Sequence, residues 1–388
     1  MISKPMKTIL HALSYSDMEL ESARRLADLK KLDPIRIFCR KLDAEIYNGD
    51  YKIPIRLYFP SEKAMEESSR SEAESSKLSG ETSEDSTKDP AGKASGGILL
   101  FFHGGGWVTE SVENYDRVCA RMAVSTGCLV ISVEYRLAPE HHFPTGLMDC
   151  YTAARALYCG ELSLVEPHKE NEPMSGRPRL HRENEPLSGR LRLQRENEPL
   201  SGRLRLHREA LPLSEEFSFS DLQVDPKQIT VIGDSAGGNL AAALCLMARD
   251  TGEFQVERQI LIYPALNNCY TEESPFPSVR ENGDSYLLTA KKMRHYLDLY
   301  QSTPEDRKNP YFAPILAEDL QNMPRTLILT AEYDPLRDEG EAYGRRLLEA
   351  GNQVEVHRIP EALHGFFALG IKFLHVQESF EYINQFLA

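Results

Sequence analysis

Six short apolar runs, at 97–102, 128–135, 228–233, 259–263, 326–331 and 354–359, punctuate the chain, and amphipathic segments at 115–124, 149–157, 238–248 and 341–350 separate several of them. Runs this short and this apolar fit strands buried on both faces, and helical segments between them supply the covering layers. The pattern predicts an α/β fold with a mainly parallel sheet flanked by helices, one core spanning most of the 388 residues. Upstream, 18–32 carry helical periodicity with charged faces, and 53–59 alternate like a half-exposed strand.

Two stretches break the pattern. Residues 61–96 are almost entirely Ser, Glu, Lys, Gly and Asp, too polar to offset the entropy of ordering them, and read as a disordered insertion. Within a second insertion, 165–216, residues 170–182, 183–195 and 196–208 are three near-identical units of 13 residues. Units this short, with few apolar positions between a turn and a basic run, do not stack as solenoids do and read as a duplicated surface loop, with a binding arm or short β-ribbon as the other reading. Doubling a loop costs only about 0.6 kcal/mol in closure entropy, so such growth is tolerated.

These polar insertions account for an apolar fraction of only 41%. With 45 basic against 59 acidic residues the net charge is −14, which argues against nucleic acid or an anionic membrane as the main partner. The seven cysteines are scattered without CxxC spacing, as expected of free thiols, and no stretch approaches the ~18 apolar residues of a membrane span. Without a signal-peptide core at the N-terminus, these features lead to the expectation of a cytoplasmic protein.

The chemistry concentrates at strand ends. In Gly233-Asp234-Ser235-Ala236-Gly237 the serine lies on a turn between the apolar strand 229–232 and the helix 238–248, where flanking glycines permit a sharp elbow that exposes a nucleophile. A serine hydroxyl also needs a base and donors for the oxyanion it creates. The Ala236 N–H is one such donor, and His103-Gly104-Gly105-Gly106-Trp107, directly after the strand 97–102, offers Gly104, Gly105 and Gly106 as others. His103 itself reads as a loop-orienting hydrogen-bonder. Asp334 follows the strand 326–331, whereas Asp338 reads as a helix N-cap with Glu341 completing a capping box. Among eleven histidines only His364 lies in a short loop after the last strand. Ser235, Asp334 and His364 thus stand in the order nucleophile, acid, base. No His/Cys/Asp cluster has zinc spacing, and no metal is called for.

Taken together, His103-Gly104-Gly105-Gly106-Trp107, Tyr135-Arg136-Leu137-Ala138-Pro139-Glu140, Gly233-Asp234-Ser235-Ala236-Gly237-Gly238, Asp334-Pro335-Leu336-Arg337-Asp338 and His364-Gly365-Phe366 resemble, in order, the motifs of the hormone-sensitive-lipase-like family of α/β-hydrolase esterases. The match runs from about 51 to 388, interrupted by the two insertions. The resemblance implies an eight-stranded sheet in a catalytic domain over 51–388. It also implies a helical cap over Ser235, made by residues 1–50 and the segment 265–312. The activity it implies is cofactor-free hydrolysis of short- to medium-chain carboxylic esters, with a small-molecule ester as the partner. It further implies structural roles for residues 135–140 and for Asp234.

An amidase or aryl formamidase with the same triad, and a catalytically inactive hydrolase-fold receptor, are the alternative readings. Family members often form homodimers through the last strand and helix; the residues 366–387 read equally well as packing within one subunit.

Overall fold

All five side chains of β3 (Ile98–Phe102) are buried, Ile98, Leu100 and Phe102 in one apolar cluster and Leu99 and Phe101 in another. The pleat sends alternate residues to opposite faces, so a strand apolar at every position must be covered on both. The computed structural model describes residues 24, 39–48, 51–60, 97–160, 164–165, 225–369 and 374–388. It shows how that cover is built. β1 (Arg40–Asn48), β2 (Tyr51–Phe59), β3, β4 (Leu129–Val133), β5 (Leu164–Val165), β6 (Ile229–Asp234), β7 (Arg258–Ile262), β8 (Arg325–Tyr333) and β9 (Val354–Leu363) form one sheet in the order β5-β1-β2-β4-β3-β6-β7-β8-β9. Eight of these are full strands, and β5 is a two-residue addition at the edge beside β1. β3, β4 and β6 to β9 are parallel, whereas β1 and β2 run antiparallel to their neighbours.

One face is covered by α1 (Asp116–Thr126) and α7 (Leu374–Leu387), and the other by α2 (Thr145–Tyr158), α3 (Ala236–Thr251) and α6 (Arg337–Glu349). α3 lies deepest. Its small and branched residues from Ala236 to Leu246 are buried almost without interruption, each buried leucine contributing about 2 kcal/mol. α7 turns Val376, Phe380, Ile383 and Phe386 into the core of its own chain. Two further helices, α4 (Pro277–Asn282) and α5 (Ala290–Tyr300), lie in the connection between β7 and β8. Thr289 caps α5 by accepting the Lys292 N–H, a contact worth about 1 kcal/mol. Among the described residues no helix is long and apolar enough to cross a membrane.

Two expectations need correction. Residues 40–48, assigned to an N-terminal helical cap, are strand β1, paired with β2 along its whole length; Ala44 and Ile46 are buried and alternate with the charged Asp43 and Glu45, the period of two that a half-buried strand carries. The helix α6 begins at Arg337, so Asp338 lies inside its first turn instead of at the N-cap. The Asp338 carboxylate accepts the Ser278 N–H of α4 and pairs with Arg337, while Glu341 pairs with Arg358. Of the helical segment 18–32, Arg24 alone is described; the insertion 61–96 and the three repeats lie outside the described residues.

The strand order locates the site. After β3 the chain moves to β4 on one side, and after β6 to β7 on the other, so the loops leaving the carboxyl ends of β3 and β6 diverge. A crevice opens at such a switch point.

Candidate active site

Ser235 stands at the tip of that crevice with φ 55° and ψ −116°, between β6 and α3. A non-glycine residue with this backbone is strained by about 1–3 kcal/mol and persists only where its surroundings hold it. Here the Ser235 N–H donates to Ile262 O at 2.9 Å, and Ser235 O accepts from Ala265 N and Asn239 N at 3.1 Å each. Asn239 also donates its side-chain amide to Ala265 O and Phe312 O. The elbow needs glycine at 237 for room: a Cβ there would lie 2.0 Å from Phe102 O.

The structure brings Ser235, His364 and Asp334 together. Ser235 Oγ lies 2.9 Å from His364 Nε2, and His364 Nδ1 lies 2.7 Å from Asp334 Oδ2. Asp334 is fully buried at the end of β8, its Oδ1 accepting the Leu336 N–H at 2.9 Å. A buried carboxylate facing Nδ1 favours the tautomer that carries the proton there, which leaves the Nε2 lone pair to accept the serine proton. The Tyr263 ring packs against the imidazole with centroids 4.8 Å apart.

The glycine run does not act as three equal donors. The Gly104 N–H is committed to Asp234 Oδ1 at 2.8 Å and a Cβ at Gly104 would meet Asp234 Oδ2 at 2.7 Å, so Gly104 is removed from the expected oxyanion donors. Gly105 adopts φ +117°, open only to glycine, and its carbonyl accepts the N–H groups of Val108 and Thr109. Among the described residues no hydrogen bond uses the N–H of Gly105 or Gly106. The Ala236 N–H is the first of α3, where helix donors have no partner within the helix. Among the described residues Gly105, Gly106 and Ala236 therefore keep backbone N–H groups that no hydrogen bond uses.

Asp234 is a hub. Besides Gly104 N it accepts the hydroxyls of Tyr115 at 2.9 Å and Tyr263 at 3.3 Å. Burial pushes its carboxyl above the ordinary range, and the donors from Tyr115 and Gly104 oppose that shift. His103, fully buried, donates Nδ1–H to Gly104 O at 2.8 Å and stacks on Tyr135, whose hydroxyl donates to His103 O at 2.7 Å. The segment after Tyr135 is held by a bidentate Arg136–Asp149 pair and by Arg24, which donates to Ala138 O, Val108 O and Glu140.

Several residues here had no sequence signal. Tyr115, Tyr263, Asn282 and Glu339 gain their roles only through long-range contacts. Asn282 of α4 donates to the carbonyls of Glu332 and Asp334 at 3.3 and 3.2 Å. Glu339 Oε1 accepts Leu266 N, Asn267 N and the Tyr270 hydroxyl, roping the start of the β7–β8 connection to α6. Burial pushes the Glu339 carboxyl up to about 8, against the pull of the Tyr270 hydroxyl.

Comparison with known proteins matches residues 99–368 to the family described as alpha/beta hydrolase fold. An ethyl acetate hydrolase of Pseudomonas putida is 32% identical over 283 residues, 73% of this chain and 69% of that protein. An arylesterase of Saccharolobus solfataricus is 28% identical over 324 residues, 84% of this chain and 76% of that protein. Among solved structures, an esterase of Pyrobaculum calidifontis superposes with a TM-score of 0.68 at 30% identity, covering 100% of this chain and 98% of that one.

Proposed function

The chain belongs to the hormone-sensitive-lipase-like family of alpha/beta hydrolase fold esterases and is a carboxylic ester hydrolase, and on that premise we propose a serine acyl-transfer mechanism centred on Ser235. His364 Nε2 takes the Ser235 proton as Oγ attacks the ester carbonyl. Asp334 holds the imidazole and stabilises the imidazolium that forms. The carbonyl oxygen becomes an oxyanion, bound by the N–H groups of Gly105, Gly106 and Ala236; losing one such donor costs about 10²- to 10³-fold in rate. His364 returns its proton to the leaving alcohol. Water, activated by the same base, then attacks the acyl-enzyme and releases the acid.

The observation that carries this reading is the hydrogen-bonded relay from Ser235 Oγ through His364 to buried Asp334, 2.9 and 2.7 Å long, beside backbone donors with no other partner among the described residues. The segment 265–312, with α4 and α5, serves as the cap over this site, and Arg24 reaches Val108 of the loop after β3. Short- to medium-chain carboxylic esters are the substrate class.

A fluorophosphonate probe followed by peptide mapping tests the nucleophile, and nitrophenyl esters assayed beside matching anilides test the bond cleaved. Label on Ser235, hydrolysis of the esters and its loss in Ser235→Ala are expected. Ester hydrolysis unchanged in Ser235→Ala would overturn the mechanism, and preference for the anilides would reassign the chain to amide hydrolysis.

A further inference from the structure

The oxyanion loop contains two consecutive residues in the left-handed region, Gly106 with φ 62° and Trp107 with φ 62°. For tryptophan this backbone is a strained state that needs outside support. The support comes from one helix. Tyr296 of α5 lies flat against Gly106, so that a Cβ there would fall 2.7 Å from Cγ and Cδ2 of the tyrosine ring. One turn later, Tyr300 stacks on Trp107 with centroids 4.6 Å apart and planes within 5°. Residues four apart on a helix face the same way, so α5 presents the two rings as a pair to two successive loop residues.

The helix itself is anchored where it makes this contact. Tyr300 O accepts the Phe143 N–H at 2.8 Å, and the His142 imidazole donates to Leu299 O at 2.9 Å. Trp107 and Tyr300 are each 2% exposed, and Phe312 also stacks on Tyr300, at 5.1 Å. Trp107 O in turn accepts the Ala138 N–H. The loop that carries Gly105 and Gly106 is thus held by α5 as well as by Asp234.

We propose that Tyr296 and Tyr300 are positioning residues for the oxyanion hole, their rings holding the left-handed Gly106–Trp107 pair so that the seated cap aligns the hole's donors. The inference rests on the ester-hydrolysing reading above. It assigns α5 a part in the chemical step, beyond that of a lid that shapes the acyl pocket. A ring that only lines a pocket changes binding of the ground state, whereas a ring that aligns oxyanion donors changes stabilisation of the transition state.

The test uses the full chain with Tyr296→Ala, Tyr296→Leu and Tyr296→Phe, each checked for folding by circular dichroism and thermal melting. Kinetics are measured with nitrophenyl acetate, butyrate and hexanoate, and binding is measured with an aryl trifluoromethyl ketone, which forms an oxyanion on the serine. Tyr296→Ala, or Tyr296→Leu should the alanine variant not fold, is expected to lower kcat about 10- to 100-fold for all three esters with KM within about two-fold. Affinity for the ketone is expected to fall by the same factor as kcat/KM. Tyr296→Phe, which keeps the ring, is expected to restore both.

A change confined to KM and graded with acyl length would make Tyr296 a pocket wall and overturn the proposal. A phenylalanine variant as damaged as the alanine one would do the same, by assigning the effect to the hydroxyl. Failure of the wild-type chain to hydrolyse any of the esters would instead sink the ester-hydrolase reading beneath it.

Discussion

The Gly104 N–H donates to Asp234 Oδ1 at 2.8 Å, binding the loop after β3 to the residue that precedes Ser235. The same carboxyl receives the hydroxyls of Tyr115 and Tyr263, and Tyr263 packs on the His364 ring. One buried side chain therefore sets the spacing between the glycine loop, Ser235 and His364. Asp234→Ala removes the acceptor of all three donors. Expected are a loss of about 1–3 kcal/mol per donor left unsatisfied, read by urea denaturation, and a kcat lower by about 10-fold or more as the donors of Gly105 and Gly106 drift. Asp234→Asn, which keeps an oxygen for Gly104, should fall between the two. An alanine variant with wild-type kcat would remove Asp234 from the positioning of the loop.

Gly237 is where α3 presses on the end of β3. A Cβ there would lie 2.0 Å from Phe102 O and 2.7 Å from His103 O, both backbone atoms that cannot swing aside. Gly237→Ala is expected to destabilise the fold by about 1–3 kcal/mol or more and to depress esterase activity beyond that loss, because relief of the clash moves either Ser235 or the oxyanion loop. Thermal melting and kcat measured on the surviving folded protein separate the two effects.

Glu339 predicts a pH dependence. Its carboxyl is pushed from an ordinary 4.5 up to about 8 in the folded chain, chiefly by burial. Between these values the unfolded chain releases the proton and the folded chain keeps it, so this group makes stability fall as pH rises from about 4.5 to about 8. The slope limit is about 1.4 kcal/mol per pH unit. Glu339→Gln retains an oxygen for Leu266, Asn267 and Tyr270 but cannot titrate. Urea midpoints at pH 5 and pH 8 should therefore drop less in the variant than in the wild-type chain; equal drops would mean that Glu339 titrates normally.

Much of the fold is legible because a strand buried on both faces has to be written in apolar residues. β3 and β4 show this, each buried at every position. The strand ends are less legible: β6 runs on to Asp234 and β8 to Tyr333, since ladder hydrogen bonds continue wherever the backbone allows, whatever the side chain. The alternation of β1, Leu42, Ala44 and Ile46 against Lys41, Asp43 and Glu45, is written in the sequence, but the resemblance assigns residues 1–50 to a helical cap. In the site, position at strand ends singles out Ser235, Asp334 and His364, and the three side chains meet. The division of labour among the glycines is another matter. Which N–H faces Asp234 and which faces the crevice is decided by a partner 130 residues away. Asp338 is similar, its carboxylate drawn to Ser278 across 60 residues by the packing of α4.

The direction of the strands also separates Ser235 from the two stretches that interrupt the pattern of strands and helices. Phe59 ends β2 beside the start of β4, Gly97 opens β3, and Asp225 leads into β6, so these junctions lie at the edge of the sheet opposite Ser235. Gly160, just past the end of α2, belongs to the same edge, since Tyr158 reaches the carbonyl of Ile229 at the foot of β6. An affinity handle or fluorescent reporter spliced between Pro60 and Gly97 would hang from this rear edge. Immobilised through it, the protein would turn the Ser235 end of its sheet away from the support.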